Sequence, residues 1–225
     1  MKYIEFETNT GEENMQIDSD LLDFAIKNQL QEPIFRLYAW SPACVSLGRN
    51  QSDDFLDMEF LNSKNIDVVR RLTGGRALLH DKELTYSFIC PISSLENGAS
   101  VVNSYKEISQ ILVKGFAELG INLEFPQGKK AHTKFDYCMS ISTGADLSFE
   151  GKKFIGSAQF RKEGYILQHG SILFSYDKDL IEKLFDESVD EDSLTCLDFI
   201  NPQISCDQVV KALHNAFVNH CGQVV

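Results

Sequence analysis

The segment Arg70 to Asp81, RRLTGGRALLHD, sets three arginines, two adjacent glycines, a histidine and an aspartate in one short run before the strand-like ELTYSFIC. Neither a regular helix nor a strand interior favours that order. Adjacent glycines let the backbone adopt angles closed to other residues and come close to a neighbour, so the segment must be a turn that feeds a strand. Two readings of it stand. Gly74 and Gly75 form a main-chain wall beside a ligand, with Arg70, Arg71 and Arg76 placing positive charge near it, or they make a tight turn whose arginines are solvated. A glycine pair alone does not separate the two.

The rest of the chain reads as mixed strands and helices. YIEFE alternates like a strand, and NMQIDSDLLDFAIKNQ places Met15, Leu22, Ala25 and Ile26 on one helical face. PIFRLYAW, ACVSLG, IDVVRRL and LTYSFICPI read as strands, with Pro42 and Gly48 as punctuation. Residues 101–119 form the clearest helix, with Val102, Tyr105, Ile108, Leu112, Phe116 and Leu119 at helical spacing and Gly120 as its stop. ADLSFEGKKFIGSAQF predicts a hairpin turning at Glu150-Gly151, and GYILQHGSILF a strand interrupted at Gly170. The acidic DESVDEDS reads as a solvated loop, and a last helix runs from about Cys206 to Asn219. Without regular βαβ alternation the class is α+β. With no internal repeat and no linker rich in Gly, Ser or Pro, residues 1–225 are expected to form a single domain.

Charge and cysteines narrow the function. With 21 Lys and Arg against 33 Asp and Glu, the formal net charge is −12, which argues against a nucleic-acid or anionic-membrane partner. An acidic partner must therefore meet a local basic patch. The six cysteines show no CxxC pair and no zinc-type spacing, so no metal is expected. MKYIEFETNTGEENM lacks the apolar core of a signal peptide, and no apolar run approaches the roughly 20 residues needed to span a bilayer. These features predict a cytoplasmic protein with reduced thiols.

Three segments can carry chemistry. In GKKFIGSAQF, Lys153 precedes Gly156, Ser157 and Ala158, whose small side chains leave room for another group. A lysine there can polarise a carbonyl, stabilise an oxyanion or lower the pKa of a thiol; alternatively Lys152 and Lys153 are an ordinary exposed pair. Cys138 follows Lys129, Lys130, His132 and Lys134, and positive surroundings favour a thiolate, whereas Cys44, Cys90 and the three C-terminal cysteines read as buried hydrophobes. His80 stands beside Asp81, a carboxylate in position to orient its ring, and His169 lies next to Gly170 in LQHGSIL. Each of these histidines reads either as a pocket residue or as a structural one, and His214 and His220 are assigned nothing.

Together these segments resemble the lipoate–protein ligase and octanoyltransferase family, whose catalytic domain is related to biotin protein ligase. The matching pieces, in order, are NMQIDSDLL, YAWSPACVSLGRNQ, RRLTGGRALLHDKELTYS, GKKFIGSAQF and LQHGSILF. The resemblance implies a mixed or antiparallel sheet flanked by helices, the biotin/lipoate protein ligase catalytic-domain fold. Ligases of the family activate lipoate with ATP and magnesium and need no nucleophilic cysteine; its transferases take an acyl group from a carrier thioester through a cysteine, with no cofactor. Cys138, 15 positions before Lys153, and Arg76, where many ligases carry a further glycine, resemble the transferase branch. An end soon after the last helix, short of the extra domain of two-domain ligases, favours the same expectation.

By that resemblance Cys138 accepts the acyl group, Lys153 holds its carbonyl, and Gly74 and Gly75 line the acyl tunnel. Arg70, His80, Gly156, Ser157, Ala158 and His169 shape the substrate site. The expected activity is transfer of octanoyl from octanoyl-acyl carrier protein to a lysine of a lipoyl-domain protein, such as glycine cleavage H protein. An ATP-dependent lipoate ligase, an amidotransferase acting between lipoyl domains and a non-catalytic carrier-binding module are the alternatives. Arg70, Arg71 and Arg76, with Lys129, Lys130, Lys134 and Arg161, are expected to supply the basic rim on which acidic carriers dock.

Overall fold

A computed structural model of the chain describes residues 2–126 and 146–222. Its strands are β1 (Lys2–Asn9), β2 (Ile34–Trp40), β3 (Cys44–Leu47), β4 (Asp67–Arg70), β5 (Leu78–His80), β6 (Glu83–Pro91), β7 (Leu147–Phe149), β8 (Lys152–Lys162) and β9 (Tyr165–Leu173). The helices are α1 (Gly11–Lys27), α2 (Met58–Ser63), α3 (Val101–Glu118), α4 (Lys178–Phe185), α5 (Leu197–Ile200) and α6 (Cys206–Gly222). A six-stranded sheet has the order β1-β2-β6-β9-β8-β7, and a three-stranded sheet the order β4-β3-β5. Parallel pairing occurs between β1 and β2 and between β3 and β4, and the remaining strand pairs are antiparallel. This is the α+β arrangement expected.

The period-two alternation of β2 divides the large sheet into two chemistries. Phe35 and Leu37 point to α3 and α6 and join a core with Phe88, Ile108, Phe116, Leu213 and Phe217. Phe217 stacks on Phe35 at 4.7 Å and meets Phe88 edge-on; truncating so enclosed a ring costs about 3–5 kcal/mol. Arg36 and Tyr38 point the other way, to Asn14 and Asp18 of α1. That helix begins with a Thr10–Glu13 capping box, and its inward stripe is Asn14, Asp18, Leu22 and Ala25. Met15 and Ile26, expected inside, are only half-buried. Tyr38 and Trp40 of the large sheet then pack on Cys44 of the small one, with Met15 over the seam.

Two expectations change. β9 runs through Gly170 without interruption, paired with Tyr86 on one side and Ser157 on the other. A Cβ at Gly170 would meet the Gly156 carbonyl oxygen at 2.5 Å, Tyr86 Cε1 at 2.7 Å and Ser157 Oγ at 2.8 Å. The glycine is a slot that lets Tyr86 lie across β9, not a strand break. The acidic segment after α4 is mostly exposed, yet Val189 within it is buried and its end pairs with β8 through Lys153 and Leu194. Among the described residues no helix is long and apolar enough to cross a membrane.

Candidate active site

The two sheets and α1 border a narrow cleft whose exposed surface is mostly apolar, with about 430 Å³ of empty space, open solvent at its mouth included. Its walls come from Met15 and Trp40, from Ser46, Arg71, Leu78 and His80 around the small sheet, and from Gly156–Ala158 and His169–Ser171 on the large one. Strand register explains the last set, because Thr85, Ser171 and Gly156 lie side by side on β6, β9 and β8. Small side chains in that row leave the room that the sequence implied.

At the start of β8, Lys153 is buried rather than part of an exposed pair. Its Nζ lies 3.0 Å from Asp146 Oδ2, with both side chains 2% exposed. Lys152 instead turns outward and donates to the Glu191 carbonyl at 2.9 Å. The other oxygen of Asp146 accepts the Ser157 N–H at 3.3 Å, so one carboxylate joins the lysine to the cleft wall. Cys138, with Lys129, Lys130 and Lys134, lies outside the described residues.

The glycine turn does something the sequence did not reveal. Gly74 and Gly75 are exposed and do not line the cleft; their turn wraps the guanidinium of Arg71, whose Nη2 donates to the carbonyls of Gly74 (3.0 Å) and Arg76 (2.7 Å). Gly75 has φ +100°, a left-handed conformation open mainly to glycine. Of the adjacent arginines, Arg71 is the buried, cleft-lining one. Arg70 points away and clamps the next loop by donating to the carbonyls of Gly48 (2.9 Å) and Gln51 (2.6 Å). Arg161 directs its donors to Ser104, Gln159 and the carbonyls of Ala99 and Ser100.

Both expected histidines reach the cleft. His80 is oriented by Glu83, not by the neighbouring Asp81, which is exposed: Nδ1 lies 3.2 Å from Glu83 Oε1, Nε2 lies 2.8 Å from Ser46 Oγ, and the ring stacks on Trp40 at 3.9 Å. Asp81 lies in the bend between β5 and β6 and is exposed, whereas Glu83, the first residue of β6, is buried beside the ring. Burial lowers the His80 pKa, with the charges of Arg71 and His169 adding to it against the pull of Glu83. His169 places Nε2 at 2.7 Å from Thr73 Oγ1 and Nδ1 at 3.2 Å from Asp18 Oδ2.

Asp18 was missed at the sequence level, along with Asn14, Arg36 and Asp146. It accepts from Arg36 at 3.1 Å and Tyr38 at 3.0 Å. Burial pushes its pKa up, but His169, Arg36 and Tyr38 together outweigh that and hold it below the usual carboxylate range. The signal available was a helix stripe that begins with two polar residues, Asn14 and Asp18, four apart. On the opposite side of the large sheet, Tyr86 reaches over Gly170 to bond Ser157 Oγ at 2.7 Å and accepts from Gln168 at 2.9 Å. Burial pushes the Tyr86 phenol up to about 12.

Residues 10–218 match the family described as the lipoyl protein ligase A/B catalytic domain. Octanoyltransferase LipM of Exiguobacterium sp. is 35% identical, over 94% of this chain and 83% of that relative. Octanoyltransferase LipM of Staphylococcus epidermidis is 41% identical, over 79% and 67%. Among solved structures, lipoate-protein ligase A bound with ATP superposes with a TM-score of 0.75 at 21% identity, covering 97% of this chain and 84% of that one. The bipartite lipoate protein ligase of Thermoplasma acidophilum, described with its E2 lipoyl domain, gives 0.71 at 20%, covering 98% and 84%. At those identities the structures show a shared fold.

Proposed function

Because this chain belongs to the lipoyl protein ligase A/B catalytic-domain family, and because relatives 35–41% identical over most of its length are octanoyltransferases, we propose that it is an octanoyltransferase of lipoate biosynthesis working through a cysteine thioester. The structural observation that supports this reading is the buried Lys153–Asp146 pair, joined through Ser157 to an apolar cleft. A straight acyl chain suits such walls, since each buried methylene contributes about 0.8 kcal/mol.

In this reading octanoyl-acyl carrier protein is the donor and a lipoyl-domain protein, such as glycine cleavage H protein, the acceptor. The Cys138 thiolate attacks the thioester carbonyl, and the Lys153 ammonium stabilises the oxyanion that forms. Collapse expels the carrier thiolate and leaves octanoyl on Cys138. The acceptor lysine then attacks as a free amine, releases one proton to solvent, and expels the Cys138 thiolate as the amide forms, again past Lys153. A thioester donor already carries the activation, so a thiolate of comparable leaving ability replaces ATP. His80, Gly156, Ser157, Ala158 and His169 shape the binding site, the Gly74–Gly75 turn supports it by holding Arg71, and Arg70 braces the neighbouring loop. Lys129, Lys130 and Lys134 dock the acidic carriers.

Mixing the protein with octanoyl-acyl carrier protein and a lipoyl domain, without ATP, tests the reading. An octanoyl increment on the acceptor lysine is expected. Modification only when lipoate and ATP are added, with release of pyrophosphate, would replace the transferase by a ligase.

A further inference from the structure

Arg71 stands at the head of two hydrogen-bond chains of the same composition. Its Nη1 donates to Ser46 Oγ at 3.1 Å, and Ser46 meets His80 Nε2, whose Nδ1 meets Glu83. Its Nε donates to Thr73 Oγ1 at 3.1 Å, and Thr73 meets His169 Nε2, whose Nδ1 meets Asp18. Each chain runs guanidinium, hydroxyl, imidazole, carboxylate, and both imidazoles line the cleft.

The proton positions follow from which groups can only donate or only accept. A guanidinium has no acceptor, so each hydroxyl receives from Arg71, and its own hydrogen is left to donate to a neutral imidazole's Nε2, 2.7–2.8 Å away, when that ring carries its proton on Nδ1. The carboxylate ends fix the other nitrogen. Asp18 is held ionised and accepts from Arg36 and Tyr38 as well. Glu83 Oε1 accepts the Thr85 hydroxyl at 2.8 Å, and Thr85 in turn receives the Trp40 N–H at 2.8 Å. Both carboxylate oxygens are therefore acceptors, and each histidine must carry its proton on Nδ1.

We infer that Arg71 is a positioning residue that locks His80 and His169 together in the Nδ1–H tautomer, so that both rings are fixed walls of the cleft and neither is its proton-transfer base. With both nitrogens engaged inside the protein, the rings offer the cleft carbon faces, in keeping with its apolar lining. This gives the glycine turn its purpose: Gly74 and Arg76 turn their carbonyls onto the guanidinium that sets both rings.

Long-range ¹⁵N–¹H correlation spectra of the histidine-labelled protein at neutral pH, without substrate, read the tautomers directly. Both rings are expected to show a protonated Nδ1 and an unprotonated Nε2. Ser46→Ala is expected to disturb His80 with His169 unmoved, and Thr73→Val the reverse. Arg71→Met is expected to disturb both, and Arg71→Lys to restore part of the pattern. A protonated Nε2 on either wild-type ring overturns the proposal, as do single variants that move both rings equally. Should Arg71→Met not fold, the wild-type spectrum and the two single-chain variants still decide. The activity arm alone rests on the transferase reading: Arg71→Met is expected to lower kcat by about 10²-fold through misplaced walls with little change in KM for the carrier. A tautomer pattern as expected in a protein that lacks transferase activity would fault the reading of function and leave this inference standing.

Discussion

Lys153 Nζ lies 3.0 Å from Asp146 Oδ2, and each side chain is 2% exposed. Removing one partner of a buried ion pair costs about 3–5 kcal/mol, because the other charge stays buried. Asp146→Asn is therefore expected to lower the denaturant midpoint and, by leaving Lys153 without its counter-charge, to reduce transfer activity. Lys153→Met leaves a side chain of similar length without the ammonium, and its loss of transfer is expected to be larger than its loss of stability. Equal activity in Lys153→Met and wild type would remove the lysine from the oxyanion role.

Gly170→Ala is expected to destabilise by about 1–3 kcal/mol, the usual cost of forcing extra volume into a filled space, because its Cβ would strike Tyr86, Ser157 and the Gly156 carbonyl. Gly151, at φ +78° with no atom within 4 Å of the place a Cβ would take, provides the contrast. Gly151→Ala is expected to cost only the left-handed conformation, about 1–2 kcal/mol, with activity retained. Denaturant melts and initial rates on both variants check this.

Asp18 has a folded pKa below its unfolded value, opposing burial having been overcome by His169, Arg36 and Tyr38. Its ionised form therefore adds stability that is fully present above the unfolded value of about 4 and is lost as pH falls through the folded one. The stability difference between wild type and Asp18→Asn is expected to be constant from pH 5 to 7 and to shrink below about pH 4. A difference that instead changes between pH 6 and 7 contradicts this assignment.

Burial and the nearby Asp67 carboxylate push the Cys44 thiol up to about 12, and burial raises Cys196 as well, whereas Cys206 is exposed. Alkylation of the native protein at neutral pH is expected to spare Cys44, since the thiolate is the reactive form. Peptide mapping after brief exposure to iodoacetamide is expected to find Cys138 modified first. Early modification of Cys44 would show that its site opens.

Where one physical signal dominated, the sequence was legible. The apolar spacing of α3 fixed that helix to within a residue, and the Glu150-Gly151 turn fell where two glycine-tolerant backbone angles were needed. The site was legible only in outline. Lys153 and the small residues after it stood out, but their neighbour Asp146 has no local pattern, and the partnership is made by the fold. His80 paired with Glu83 rather than Asp81 because the bend between β5 and β6 leaves Asp81 exposed and brings the buried Glu83 beside the ring. Asp18 and Arg36 have no local pattern that marks them as buried. Only the approach of α1 to β2 brings two charges into one buried network. Gly170 misled because a glycine in a strand signals either a break or a close approach, and the ring that approaches, Tyr86, is distant in sequence.

The most direct measurement is the intact mass of the purified protein after mixing with octanoyl-acyl carrier protein, without ATP, beside Cys138→Ala. One octanoyl increment on the wild type alone, released by hydroxylamine, is the expected result. No increment on the wild type, with lipoate and ATP modifying a lipoyl domain equally well in both proteins, would contradict the thioester transferase.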